Sequence, residues 1–146
     1  KIKIMKKVEG VGREIAINDL MVFLQKHKKK EIRRGEITSE SIEDDYIDVI
    51  EAIEDGLLVF EKGSPVYTLR EPVKSDEGAV VISKVIFRSR IHPVDKTNVL
   101  NGINVSTEQG KYLLKMLSLA TKLQVAELGK LEKDDYEVLN QITSVF

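Results

Sequence analysis

His27 and His92 are the only imidazoles in this 146-residue chain, and it has no cysteine. Nucleophilic or metal-assisted chemistry at either histidine would need a second group beside it. That group would be a serine or acid oriented by the ring, or further ligands at the short spacings that close a zinc site. Neither histidine has such a neighbour in sequence. His27 stands inside a run of lysines, and His92 is held extended by Pro93, which marks it as a turn residue. The carboxylates between 43 and 55 are dense enough to gather a divalent cation, yet they lack the ordered loop spacing of a calcium site. No glycine-rich stretch has the form of a phosphate cradle. These residue types point away from an enzyme, and no cofactor or metal is expected.

Two stretches could instead hold a partner. Lys26, His27, Lys28, Lys29, Lys30, Arg33 and Arg34 cluster on one predicted helix, the electrostatic footprint of a nucleic-acid surface. Against that reading, residues 36–61 hold ten acids and no base, next to residues 1–35 with eleven bases and four acids. Such an acidic block repels a phosphate backbone, and no aromatics interleave the lysines for base stacking. A solvated face opposite an acidic neighbour is the favoured account, with nucleic acid as the alternative. The second stretch, Leu57, Leu58, Val59 and Phe60, is a short apolar run between Gly56 and the turn-like Lys62-Gly63-Ser64-Pro65. It reads as a strand, or as a linker wedged into the core. Leu57 to Phe60, with Lys28, Lys29, Arg33 and Arg34, are the candidate partner-binding residues.

The elements that must position them follow from hydrophobic period and punctuation. Lys1 to Val8 alternates like a charge-protected edge strand. A helix capped by Asn18 or Asp19 runs to Arg34 and buries Leu20, Met21, Phe23, Leu24 and Ile32. A second, starting near Thr38 or Ser39, buries Ile42, Tyr46, Val49, Ile50 and Ile53 and stops at Gly56. Val66–Leu69 and Ala79–Arg88 form a hairpin about Ser75-Asp76-Glu77-Gly78, with strict alternation putting one wholly apolar face on the helices. Asp95 caps a short helix ending at Gly102. Ser106 and Gln109 have capping-box spacing for a central helix, apolar from Tyr112 to Leu123 and covered on at least two sides. A short turn at Val125–Leu128 leads to a closing helix, begun by Asp134 and Asp135 and striped by Tyr136, Leu139, Ile142 and Phe146. The expected class is α+β and mostly helical: an N-terminal helical hairpin over 1–65, then 66–146 with a small central β-hairpin and a C-terminal helical unit, the two possibly sharing one core. No apolar run reaches the roughly 18 residues of a membrane span, and no signal segment opens the chain, so a soluble cytoplasmic protein is expected.

Two stretches, TLREPVKSDEGAVVISKVIFRSRIHPVD (68–95) and TKLQVAELGKLEKDDYEVLNQITSVF (121–146), carry a resemblance. The order of Leu69, Pro72, Gly78, Arg88, Pro93 and Asp95, followed by Leu131, Asp134-Asp135-Tyr136 and Phe146, resembles the tail assembly chaperone family of Mu-like contractile-tailed phages. It covers about 80 residues. Arg88 and Pro93 stand further apart than the family pattern, and Lys122 replaces its usual small residue. The resemblance implies a non-enzymatic factor that binds the tape-measure protein, or another tail protein, and keeps it soluble during tail assembly. It leaves the oligomeric state open.

Overall fold

The computed structural model describes residues 10–146, so the strand expected at Lys1 to Val8 lies outside the described residues. Within them the chain is α+β and mostly helical: eight helices and one antiparallel sheet of three strands in the order β1-β2-β3.

The first helix, α1 (Arg13–His27), begins five residues before the expected cap. Gly12 is its extended N-cap, and Arg13 is anchored to the next hairpin arm through two 2.9 Å bonds to the Glu54 carboxylate. Asn18 and Asp19 therefore lie inside it. Nor does it reach Arg34. At Lys28 the backbone leaves helical space (φ −126°, ψ 39°), and a separate short helix, α2 (Lys29–Arg33), follows. The break comes where the His27 ring is seated against Phe23 and Phe146, with centroids 4.8 and 5.0 Å away. The second arm is also divided. α3 (Ser39–Asp45) opens with a reciprocal capping box between Thr38 and Ser41, and α4 (Ile47–Glu54) restarts after Tyr46. Tyr46 offers no side-chain cap, so α4 is capped from a distance. The Gln141 carbonyl oxygen accepts the N–H groups of Asp48 and Val49 at 3.1 and 3.2 Å, and its amide donates to the Asp48 carboxylate at 2.7 Å.

β1 (Leu58–Glu61), β2 (Ser64–Lys74) and β3 (Val80–Ile86) form the sheet. The expected strict alternation on β3 does not hold: Ile82, Val85 and Phe87 are buried, whereas Val80, Val81 and Ile86 are exposed. The register explains it. Thr68 pairs Lys84 and Val73 pairs Ile82, so Leu69-Arg70-Glu71-Pro72 lie opposite Ser83 alone. A bulge of this size re-phases both strands.

The C-terminal half contains α5 (Pro93–Leu100), α6 (Gln109–Thr121), α7 (Val125–Leu128) and α8 (Lys133–Thr143). Pro93 takes the first helical position of α5, with His92 as N-cap, so Asp95 lies in its first turn. α6 starts at Gln109, because the Asn104 carboxamide captures both the N–H and the hydroxyl of Ser106 (3.2 and 2.7 Å) and leaves that hydroxyl no helix to cap. α6 buries Met116, Leu117, Ala120 and Thr121, and Tyr112, Leu114, Leu119 and Leu123 pack half-buried against the same core, whereas Leu113 is 48% exposed. The centre is shared more widely. Leu20, Leu24, Ile42, Ile50, Leu58, Tyr67, Leu117, Leu128, Leu139 and Ile142 belong to one buried cluster, joining both halves of the chain.

Candidate functional site

Among the described residues Asp135, in the first turn of α8, is an acidic side chain with no solvent exposure. Its carboxylate accepts the Tyr67 hydroxyl at 2.5 Å and the N–H groups of Arg70 and Glu71 at 2.9 and 3.1 Å. Those two amides belong to the bulge, where the ladder with β3 is interrupted. A buried N–H without an acceptor is costly, and one carboxylate at a helix start satisfies both. Burial and the neighbouring carboxylate push the Tyr67 phenol far above its ordinary range. With each oxygen engaged, the group clamps β2 to α8. Sequence reading took Asp134 and Asp135 alike as helix-start charges; Asp134 is exposed.

The second feature is a groove of about 490 Å³ between α1 and β1, lined by Val11, Val22, Phe23, Ile53, Leu58, Val59 and Phe60 and edged by Asp19 and Lys26. α1 contributes Val22, which is 73% exposed and covered by no other element among the described residues. Phe23 stacks on Phe60 with centroids 5.0 Å apart and forms the floor. Of the apolar run singled out in sequence, Leu58 is 1% exposed and serves the core, while Val59 and Phe60 are half-buried in the groove; Leu57 is half-buried beside it and donates its N–H to the Ala52 carbonyl. Val22 was not singled out.

The basic residues lie apart from that lining. Lys29, Arg33 and Arg34 are exposed and Lys28 is half-buried, and among the described residues none makes an ion pair within 4.0 Å. The cross-helix pairs instead come from Arg13, to Glu54 at 2.9 Å and Glu43 at 3.5 Å, and the first of these holds the Glu54 carboxyl below its usual range. His27 is pushed down to about 4, first by burial and then by Lys26, Arg90 and Lys28, and its Nε2 has no hydrogen-bond partner. Lys28 also faces Lys96 across a smaller cavity of about 220 Å³, where the Lys96 ammonium donates to the Phe146 carbonyl.

Among the described residues no three His, Cys, Asp or Glu side chains are grouped to hold a metal ion, and no helix is long and apolar enough to cross a membrane. Comparison with protein-family models, with characterised proteins and with solved structures returned no match.

Proposed function

We propose that this chain is a non-enzymatic tail assembly chaperone, acting in the host cytoplasm on the tape-measure protein of a phage or phage-like particle. The observation that carries the reading is the exposed apolar groove in which Val22, Phe23, Val59 and Phe60 meet. A client whose apolar stripe is transiently uncovered needs such a surface, and charged rims limit self-association. The clamp at Asp135 adds support from the sequence side. It joins the two stretches that carry the family resemblance, through Arg70 and Glu71 in the first and the Asp134-Asp135-Tyr136 helix start in the second.

Co-expression of the chain with a tape-measure protein, followed by pull-down, tests the proposal. Co-purification that survives 0.5 M salt and falls at least tenfold for Val22→Asp is the expected result. Enrichment no greater than for an unrelated coiled coil overturns it. The alternative is a small nucleic-acid-binding or regulatory module using the helix around 26–34, and it has one observation in its favour: Lys28, Lys29, Arg33 and Arg34 are unpaired among the described residues. Its signature is duplex affinity that falls steeply with salt.

A further inference from the structure

The geometry of β1 points to the form in which the groove takes its partner: we infer an extended segment, added to the free edge of β1 as a further strand. Among the described residues β1 is an edge strand, paired with β2 alone. Thr68 donates its N–H to the Leu57 carbonyl at 2.8 Å, so Leu57 faces β2. Alternation then turns the N–H and C=O of Leu58 and Phe60 the other way. A second bond fixes the same phase. Pro65, the partner of Phe60, gives its carbonyl to Phe87 at 3.0 Å on the far side of β2, and it has no N–H to give. The pair Phe60 and Pro65 is therefore not hydrogen-bonded, and the polar groups of Phe60 point outward.

These outward groups meet the groove. Leu58 and Phe60 lie on one face of β1 and Val59 on the other, yet all three line the cavity, which therefore wraps the strand's edge. An apolar wall beside two donors and two acceptors that have no partner among the described residues matches an added strand: the ladder supplies affinity, and alternate side chains enter the groove. A helix would bring no free backbone groups to that edge.

The rim selects the partner's charges. Gly63, at the end of the β1–β2 turn, lies beside the Lys26 ammonium, and Gly56, before β1, lines the other end with Val11. α1 thus runs alongside β1 in the same direction, with Asp19 towards its start and Lys26 towards its end. The two are seven positions apart, about 10 Å along a helix. A strand antiparallel to β1 meets Lys26 first and Asp19 last. Its matching sequence has an acid near its start, an apolar residue over Val22 and Phe23, and a base near its end, all on one face. This rests on the reading of the groove as a partner site, not on the partner being a tape-measure protein.

The probe is a capped peptide, Ser-Glu-Thr-Val-Thr-Lys-Ser, at millimolar concentration, with exchange of the Leu58 and Phe60 amides followed in the full chain by NMR. Two further forms are N-methylated at alternate residues, in one phase or the other. Exchange at both amides should slow at least tenfold with the unmodified peptide and with one methylated form, and not with the other. No slowing, or equal slowing by both methylated forms, overturns strand addition. So does slowing already present in the chain alone that disappears when residues 1–9 are deleted, which makes the occupant internal, or that scales with protein concentration, which makes it a second copy. Peptide protection alongside a failed tape-measure pull-down removes the chaperone reading alone; capture of that protein without amide protection removes the strand alone.

Discussion

Asp135, fully buried, and His27, half-buried, are polar side chains with opposite consequences for stability. Asp135 is fully partnered, so its removal leaves the buried Tyr67 hydroxyl and two part-buried bulge amides without their acceptor. Asp135→Ala should cost about 3 to 5 kcal/mol, read as a drop in the urea midpoint, whereas Asp134→Ala on the exposed side should cost less than about 0.5 kcal/mol. His27 is neutral when folded, wedged between Phe23 and Phe146 under Lys26, Lys28 and Arg90, with its value near 4 against an ordinary 6.5. Between those values the unfolded chain binds a proton that the folded chain does not. Stability is therefore complete above about 6.5, falls as pH drops towards 4 and levels off below, by about 1 to 2 kcal/mol after allowing for partial solvation. Urea unfolding at pH 7.5 and 4.5 should show that loss in the wild type and a smaller one in His27→Phe. Neither role was legible in the residue. Asp135 has the same local spelling as Asp134, and its partner is 68 positions away, where nothing in the chain marks Tyr67 as waiting for a carboxylate.

At the scale of elements, the sequence was informative wherever a signal is satisfied locally. Thr38 caps α3 as expected because its acceptor and donors lie within three residues, and Gly56, at φ 76°, ends the second arm as a residue free to enter left-handed space should. It was misleading where a second short-range partner competed. Ser106 had the right spacing to start α6, but Asn104 stands closer and takes both of its polar groups. It was silent where the partner is tertiary, as at the start of α4, whose N–H groups are met by Gln141 from α8. That cap is the joint between the N-terminal arms and the closing helix. Gln141→Leu keeps the volume and leaves the amides of Asp48 and Val49 without an acceptor, which should cost about 1 to 3 kcal/mol. Hydrogen exchange separates this from a general loss: the amides at the start of α4 should exchange faster than those of α1, and equal acceleration in both would show that Gln141 is not acting as a cap.

Across the whole molecule, charge and apolar surface are segregated in a way that composition conceals. The net charge of −1 comes from blocks, and among the described residues the expectation that the basic and acidic arms pair face to face holds only through Arg13, leaving Lys29, Arg33 and Arg34 directed at solvent. The apolar groove is bordered by one base and one acid, Lys26 and Asp19, so its attraction for a partner owes little to net field. Charge reversal should therefore separate the two candidate surfaces. Lys29→Glu, Arg33→Glu and Arg34→Glu together break no ion pair among the described residues, and the fold should change by less than about 0.5 kcal/mol per substitution. If the groove is the working surface, the triple variant captures its protein partner as well as the wild type does, while Val22→Asp, one uncompensated charge in an apolar wall, lowers capture at least tenfold. If the basic helix is the working surface, the pattern inverts: the triple variant loses all binding, Val22→Asp loses none, and raising salt from 0.05 to 0.2 M mimics the triple variant by screening the same cations.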